Sequence, residues 1–324
     1  TLYSDLNRVT GSLRQPGSAW KPMVYLAAFR RGLNLDSTVP DAPITVPTGG
    51  DGTVKWIENY DHRFKGPIPV RQALAESRNA VAVWLAREVG IPEVNRTARE
   101  LGIRSPLHPF ISTALGASEV RLLELAGAYR AMASGVLAEP HVIARVTDAS
   151  GEGVLYEAPG ATPVAGGLSA AELSLIQEGL RGVVRLPEGT AHALDGLDFP
   201  IAVMGKTGTT SNFRDALFVG STYGPQGITV AVRVGFDDNR TLGEKETGAR
   251  AALPVFREIM LRIYQESIVG PPPRFPCDIE ARIDKYLATL SVREARRAEP
   301  PSLNTRAGRR RLGELTRSGA EPAP

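Results

Sequence analysis

Cysteine is nearly absent. Cys277 stands alone and reads as a bystander, which excludes an internal disulfide and any cysteine-rich metal site. Histidine is almost as scarce: His62, His108, His141 and His192 are scattered, with no HExxH or paired spacing, so the sequence offers no metal centre. No apolar run approaches the roughly 18 residues of a membrane span. Nor does a basic start lead into an apolar signal region. The chain opens at Thr1 in what reads as a loop and is taken as a piece of a longer protein, so neither absence bears on location. The formal charge of +3 is too small to argue for nucleic acid. Its excess sits in the Arg-rich tail, where RAGRRRLGELTR reads as a solvated segment rather than a lipid or nucleic-acid surface.

Lysine is the most telling shortage. Of 38 basic residues only six are Lys: Lys21, Lys55, Lys65, Lys206, Lys245 and Lys285. Arginine serves wherever a plain positive charge will do, so each lysine invites a chemical reason. A desolvated amine can lose its proton and act as a base; a guanidinium cannot.

At 324 residues, 42% of them hydrophobic, the chain can bury a substantial core. Apolar positions at helical spacing predict a helix over 18–31, closed by Gly32, and another over 69–89, interrupted near 75–79. Residues 33–68, rich in Pro, Gly and Asp, read as irregular connection. Further helices are expected at 92–101, 118–134 and 169–184, the last opening on a Ser169-x-x-Glu172 capping box. A hairpin is expected around 149–151. The runs PIAVMGKTGT, DALFVGSTY and ITVAVRVGF, separated by short turns, predict an antiparallel meander, followed by a helix over 247–266. From about 291 the Arg-, Glu- and Pro-rich tail reads as disordered.

RQPGSAWKP, at 14–22, allows two readings. Pro16-Gly17 breaks the chain, and Ser18 either caps the helix that follows or is exposed at its start as a nucleophile, with Lys21 one turn further along the same face. GKTGTT, at 205–210, suggests a phosphate loop, but the position that needs the first glycine holds Pro200 and the residues between are strand-like. That reading fails. Gly205 and Gly208 instead flank a Lys-Thr pair on a strand, where another chain or a ligand could come close. Ser77-Arg78-Asn79 interrupts two helical stretches, and Ser77 could equally cap the second. GxSxG is absent and no histidine stands in a nucleophile-and-base context, so the base for any serine nucleophile would be a lysine.

Ser-x-x-Lys, Ser-x-Asn and Lys-Thr-Gly, in that order, form the motif set of β-lactamases and penicillin-binding proteins. The sequence resembles the transpeptidase domain of bifunctional, class A penicillin-binding proteins. The resemblance extends over NRVTGSLRQPGSAWKPMVYLAAF, ENYDHRFKGPIPVRQALAESRNAVAVWLA, ALGASEVRLLELAGAYRAMASG, GKTGTTSNFRDALFVGST and VGFDDNRTLGEKETGARAALPVF, covering residues 7 to about 262. Trp20 replaces the family's usual Phe, and Ala117 its commoner Thr or Ser.

The resemblance implies an α/β (α+β) fold: an antiparallel sheet flanked by helices, with an all-helical subdomain, over residues 1–270, and a C-terminal extension over 271–324. It also implies that the first sheet strands, a glycosyltransferase domain and a membrane anchor lie upstream, leaving a central strand with an unpaired edge. Ser18 is then the nucleophile and Lys21 its base, disfavoured as an ammonium by apolar packing and by Lys206. Ser77 relays protons to the leaving amine, and Asn79 bonds the substrate's peptide amide. Lys206 supplies a fixed charge for the substrate carboxylate, Thr207 and Thr209 offer it hydroxyls, and Gly208 leaves room for substrate along the strand edge. The backbone amides of Ser18 and Thr209 form the oxyanion hole.

The implied partners are peptidoglycan stem peptides (a D-Ala-D-Ala donor and an amine acceptor) and β-lactams, with no cofactor and no nucleic acid. The implied place is the periplasmic face of the bacterial inner membrane. Three rivals remain. A D,D-carboxypeptidase would use water as acceptor, a β-lactamase lacks its ExxLN-like loop here, and a penicillin sensor would acylate without turnover.

Overall fold

The computed structural model describes residues 5–47 and 53–298. The helices, in chain order, are α1 (Lys21–Arg30), α2 (Val70–Ala75), α3 (Asn79–Val89), α4 (Ile91–Glu100), α5 (Leu122–Ser134), α6 (Ala170–Arg185), α7 (Leu253–Gln265) and α8 (Cys277–Ala298). The sheet strands are β1 (Met204–Thr209), β2 (Asp215–Ser221) and β3 (Thr229–Gly235), antiparallel in the order β1-β2-β3. The expected meander is therefore present, with its first strand opening at Met204 rather than Pro200.

Strand alternation gives the sheet two buried faces. Gly205, Thr207 and Thr209 share one with Phe218 and Gly220, and Phe256 of α7 meets Phe218 edge-on there, at 4.6 Å between ring centroids. The two glycines make room for these rings, because a Cβ at Gly220 would come within 2.7 Å of Phe256. The other face carries Lys206 and Gly208 and packs against α6 and the turn that leads into α1. All of β2 is buried, whereas β3 is mostly half-buried and, among the described residues, is paired only with β2.

From Lys21 to Phe29 every residue of α1 is buried, its neighbours being α3, α4 and α6. A helix without a solvent face is a core helix. Pro22 is tolerated in its first turn because no intrahelical donor is lost there. α2 and α3 are broken at 76–78 as expected, and the expected capping box opens α6: Glu172 N donates to Ser169 Oγ at 3.2 Å. The expected hairpin pairs Arg145–Thr147 with Val154–Glu157.

Four departures have physical causes. Residues 33–68 hold two short ribbons, Thr38–Asp41 with Gly66–Pro69 and Ile44–Pro47 with Val54–Ile57. A two-stranded ribbon has free edges, which is where proline can sit in a strand. The helix expected from 118 begins at Leu122, because Val120–Arg121 pair with Leu13–Arg14. Gly248–Ala252 form a π-helical turn before α7. Finally, α8 runs to Ala298, past the expected onset of disorder at 291, and Cys277 at its start is exposed.

The chain divides into units 1–279 and 280–324; the rest of the expected tail, 299–324, lies outside the described residues. No helix among the described residues is long and apolar enough to cross a membrane.

Candidate active site

Ser18 lies in a single 3-10 turn, Gly17–Trp20, that runs directly into α1. It is not the helix cap: α1 begins behind Trp20 with no side-chain capping bond. Gly17 has φ +53, and a Cβ on it would lie 2.6 Å from Thr209 O. Only glycine allows both that conformation and so close an approach to β1. The turn is held from two further sides. Gly17 N donates to Gly116 O at 3.4 Å, and the buried Tyr129 hydroxyl of α5 donates to Ala19 O at 2.7 Å.

Lys21, the first residue of α1, is fully buried and reaches the Ser77–Asn79 break. Its Nζ lies 2.5 Å from Ser77 O, 2.7 Å from Asn79 Oδ1 and 3.1 Å from Ser77 Oγ. Burial first, then the charges of Lys206 and Arg78, hold its amine well below the ordinary lysine range. The two carbonyl oxygens can only accept from this amine, while the Ser77 hydroxyl can accept from it or, once the amine is neutral, donate to its lone pair.

Ser77 adopts φ +59, an unusual conformation for a residue with a side chain. Asn79 Nδ2 donates to Glu58 O at 2.8 Å, which leaves the amide one N–H and one lone pair for a ligand.

The opposite wall is β1. Lys206 is fully buried, and desolvation takes its amine down to about 7; its Nζ lies 3.4 Å from Thr207 Oγ1. Its charge is therefore conditional on pH rather than fixed. Thr207 donates to Thr190 Oγ1 at 2.8 Å, and Thr209 Oγ1 accepts from Gly248 N at 3.1 Å, so each hydroxyl keeps capacity for a ligand. Gly208 departs from expectation. A Cβ there would lie 2.5 Å from Pro16 O and 3.1 Å from Ala19 Cβ, so the space it leaves is filled by the turn that carries Ser18. Gly205 likewise makes room for Val219 and Phe218 of this same chain.

Ser18, Ser77, Asn79, Thr207 and Thr209 line one cleft of about 1330 Å³. Facing them is an apolar wall in which Val46, Ile57 and Val83 pack with Ile111 and Leu115.

Comparison with known proteins shows the family. Residues 3–261 match the penicillin binding protein transpeptidase domain. The chain belongs to that family. It is 37% identical over 278 residues to Penicillin-binding protein 1A of Aquifex aeolicus, covering 84% of this chain and 36% of the relative. To Penicillin-binding protein 1A of Neisseria gonorrhoeae it is 35% identical over 262 residues, covering 78% and 32%. The chain thus spans about a third of the length of these relatives. Among solved structures, Penicillin-Binding Protein 1A from Haemophilus influenzae superposes with a TM-score of 0.73 at 28% identity, covering 84% of this chain and 45% of that one. The PonA1 protein from Mycobacterium tuberculosis, solved in complex with penicillin V, shares the fold, with a TM-score of 0.67 at 23% identity, covering 84% and 74%.

Three residues of this penicillin-binding transpeptidase domain escaped sequence reasoning. Thr190 joins two motifs: its amide donates to Ala75 O at 3.0 Å, just before the Ser77 break, and its hydroxyl accepts from Thr207. No pattern in the sequence marks it. Asn59 and Asp41 support the break from behind. Asn59 lies in the ENYD block, which carries the resemblance but suggests no role of its own.

The lowered Lys206 amine has a consequence for pH dependence. Its positive charge is present below about 7 and is lost as pH rises through that value. Acylation by a carboxylate-bearing penicillin is expected to fall about tenfold or more between pH 7 and 9. A Lys206→Arg variant keeps its charge, so its rate-versus-pH curve should lose that alkaline decline. Stopped-flow acylation across pH reads the shape directly; identical declines in both proteins would contradict the assignment.

Proposed function

We propose that this chain is a peptidoglycan D,D-transpeptidase working through a Ser18 acyl-enzyme. The observation that carries the reading is the surroundings of Lys21: a fully buried amine, held well below the ordinary lysine range, with two carbonyl oxygens and the Ser77 hydroxyl within 3.1 Å of its Nζ.

Ser18 Oγ attacks the penultimate D-Ala carbonyl of a donor stem peptide while its proton passes to Lys21. The donor's terminal carboxylate is met by Thr209, by Lys206, whose amine is drawn into its charged form by that contact, and by Thr207 once its hydroxyl turns from Thr190. The tetrahedral oxyanion is held by the amides of Ser18 and Thr209, an arrangement supported by the close approach of the Gly17 turn to Thr209. One such donor contributes about 2.7–4 kcal/mol to transition-state stabilisation. The C–N bond then breaks, the leaving D-Ala nitrogen takes a proton by way of Ser77, and an ester joins Ser18 to the donor. An acceptor amine attacks that ester, forms the cross-linking amide, and returns a proton to Ser18.

A β-lactam opens by the same attack, but its leaving amine stays tethered and obstructs the acceptor. The cleft, about 1330 Å³, exceeds the roughly 300–1,000 Å³ of a site for one small ligand, which supports room for donor and acceptor together. In the longer protein the chain would act at the periplasmic face of the inner membrane, any glycosyltransferase activity residing outside these residues.

The test is incubation of the full-length protein with donor and acceptor stem peptides, read by mass spectrometry. A cross-linked dimer with free D-Ala is expected. A trimmed donor with a free carboxylate and no dimer would make the chain a carboxypeptidase; an acyl-enzyme with no product would make it a sensor.

A further inference from the structure

The break at Ser77–Asn79 holds the groups around Lys21, and α3, which starts there, has no capping side chain of its own. Its first amides would be left without partners. They are satisfied from elsewhere in the chain. Asn59 Oδ1 accepts from Asn79 N at 2.8 Å and from Ala80 N at 3.2 Å. Its Nδ2 donates to Asp41 Oδ1 at 2.7 Å and to Arg63 O at 2.9 Å. Both residues are buried, Asn59 to 2% exposure and Asp41 completely. Every hydrogen-bonding position of the Asn59 amide is thereby used, with donors on one side and acceptors on the other. Its orientation is fixed.

Asp41 in turn is fixed by the break itself. Its Oδ2 accepts from Arg78 Nε at 2.9 Å and from Lys65 N at 2.9 Å, while Arg78 Nη1 donates to Asp61 Oδ2 at 2.8 Å. The middle residue of Ser-Arg-Asn is thus anchored through its side chain, and the last through its backbone, by the same pair. Asn79 Oδ1 then meets Lys21 Nζ. An unbroken chain of hydrogen bonds runs from Asp41 through Asn59 and Asn79 to the base.

We propose that Asp41 and Asn59 are a positioning pair for acylation, holding the Ser77–Asn79 break in its left-handed turn so that its oxygens stay around Lys21. This rests on the reading of Lys21 as the base. Neither residue touches substrate; both act through the turn. Their importance follows from the demand on geometry there, since a displacement of about 1 Å at a reacting group can lower a rate about 100-fold.

The experiment measures the second-order rate constant for acylation of the full-length protein by a fluorescent penicillin, with thermal melting alongside. Asn59→Asp keeps an acceptor for the two amides but sets carboxylate against carboxylate at Asp41. Asp41→Asn sets amide against amide. The double exchange, Asp41→Asn with Asn59→Asp, again pairs a donor with an acceptor. Each single change is expected to lower the rate constant about 10- to 100-fold. The exchange should recover at least about threefold over either single variant, because the two sites share one bond.

Val164→Ala, a truncation in the core away from the cleft, controls for loss of stability. If Asn59→Asp does not fold, Asn59→Ser, which retains an oxygen but removes the Nδ2 group that donates to Asp41 and Arg63, is read in its place. Rates no lower than that of a Val164→Ala protein with a matched melting temperature would overturn the proposal. So would an exchange no better than its single variants. Lys21→Arg is measured in parallel: if it acylates normally, the reading of the base fails, whereas if it is inactive while the Asn59 variants acylate normally, only the positioning role fails.

Discussion

A Ser18→Ala variant of the full-length protein is expected to take up no covalent penicillin, while the parent gains one penicillin per chain by intact-protein mass. The loss should be on the scale of about 10⁶-fold that follows removal of a serine nucleophile elsewhere. The competing nucleophile is Ser77, which lines the same cleft with its Oγ 3.1 Å from Lys21 Nζ. The fold favours Ser18. Its turn is pressed against β1 at Thr209, next to the amides proposed to hold the oxyanion, whereas Ser77 has its own carbonyl bonded to the Lys21 amine. Ser77→Ala should therefore slow acylation without abolishing it. A penicillin adduct in Ser18→Ala, mapped by peptide digestion to Ser77, would reverse the assignment of nucleophile and relay.

The proposed catalytic groups were legible because their chemistry restricts residue type. A buried amine that must lose a proton has to be lysine, so a chain with only six lysines exposes Lys21 and Lys206. The Ser77 break was legible for another reason, since a helical pattern that stops and restarts within three residues has to turn there.

What stayed hidden is support rather than chemistry. Asn59 works by accepting from two backbone amides 20 and 21 positions away, and a backbone amide carries no sequence signature. Thr190 is hidden in the same way, its partners lying on the Ser77 side and on β1. Gly208 was singled out correctly as a place of close approach, but a glycine does not say which chain approaches; Pro16 and Ala19 do. The ribbons within 33–68 were missed because four-residue strands punctuated by proline look like a loop until their partners are known.

The second large effect concerns the two lysines together. Two buried amines near one another cannot both be charged cheaply, so the site must decide which keeps its proton. Burial lowers both, but Lys21 also feels the charges of Lys206 and Arg78, whereas for Lys206, at about 7, burial alone is the cause. On the proposed mechanism Lys21, which feels the added positive charges, is the amine that serves as base, and Lys206 is the one that meets a carboxylate. Environments that push two titrating groups apart assign their roles in this way. Acylation should then rise with pH as Lys21 deprotonates and fall as Lys206 loses its charge, giving a bell whose alkaline side lies near neutrality.

Lys21→Arg separates the base from the charge. A guanidinium stays protonated throughout this range, so it preserves a cation beside Ser77 and Asn79 but can accept nothing. The acylation rate constant is expected to fall by about 10²- to 10⁴-fold, the usual contribution of a positioned general base. The acid limb of the bell should vanish with it, because the group whose deprotonation caused that limb no longer titrates. If Lys21→Arg instead acylates within a fewfold of the parent and keeps its acid limb, the proton of Ser18 goes elsewhere, and Ser77 with Lys206 becomes the pair to test.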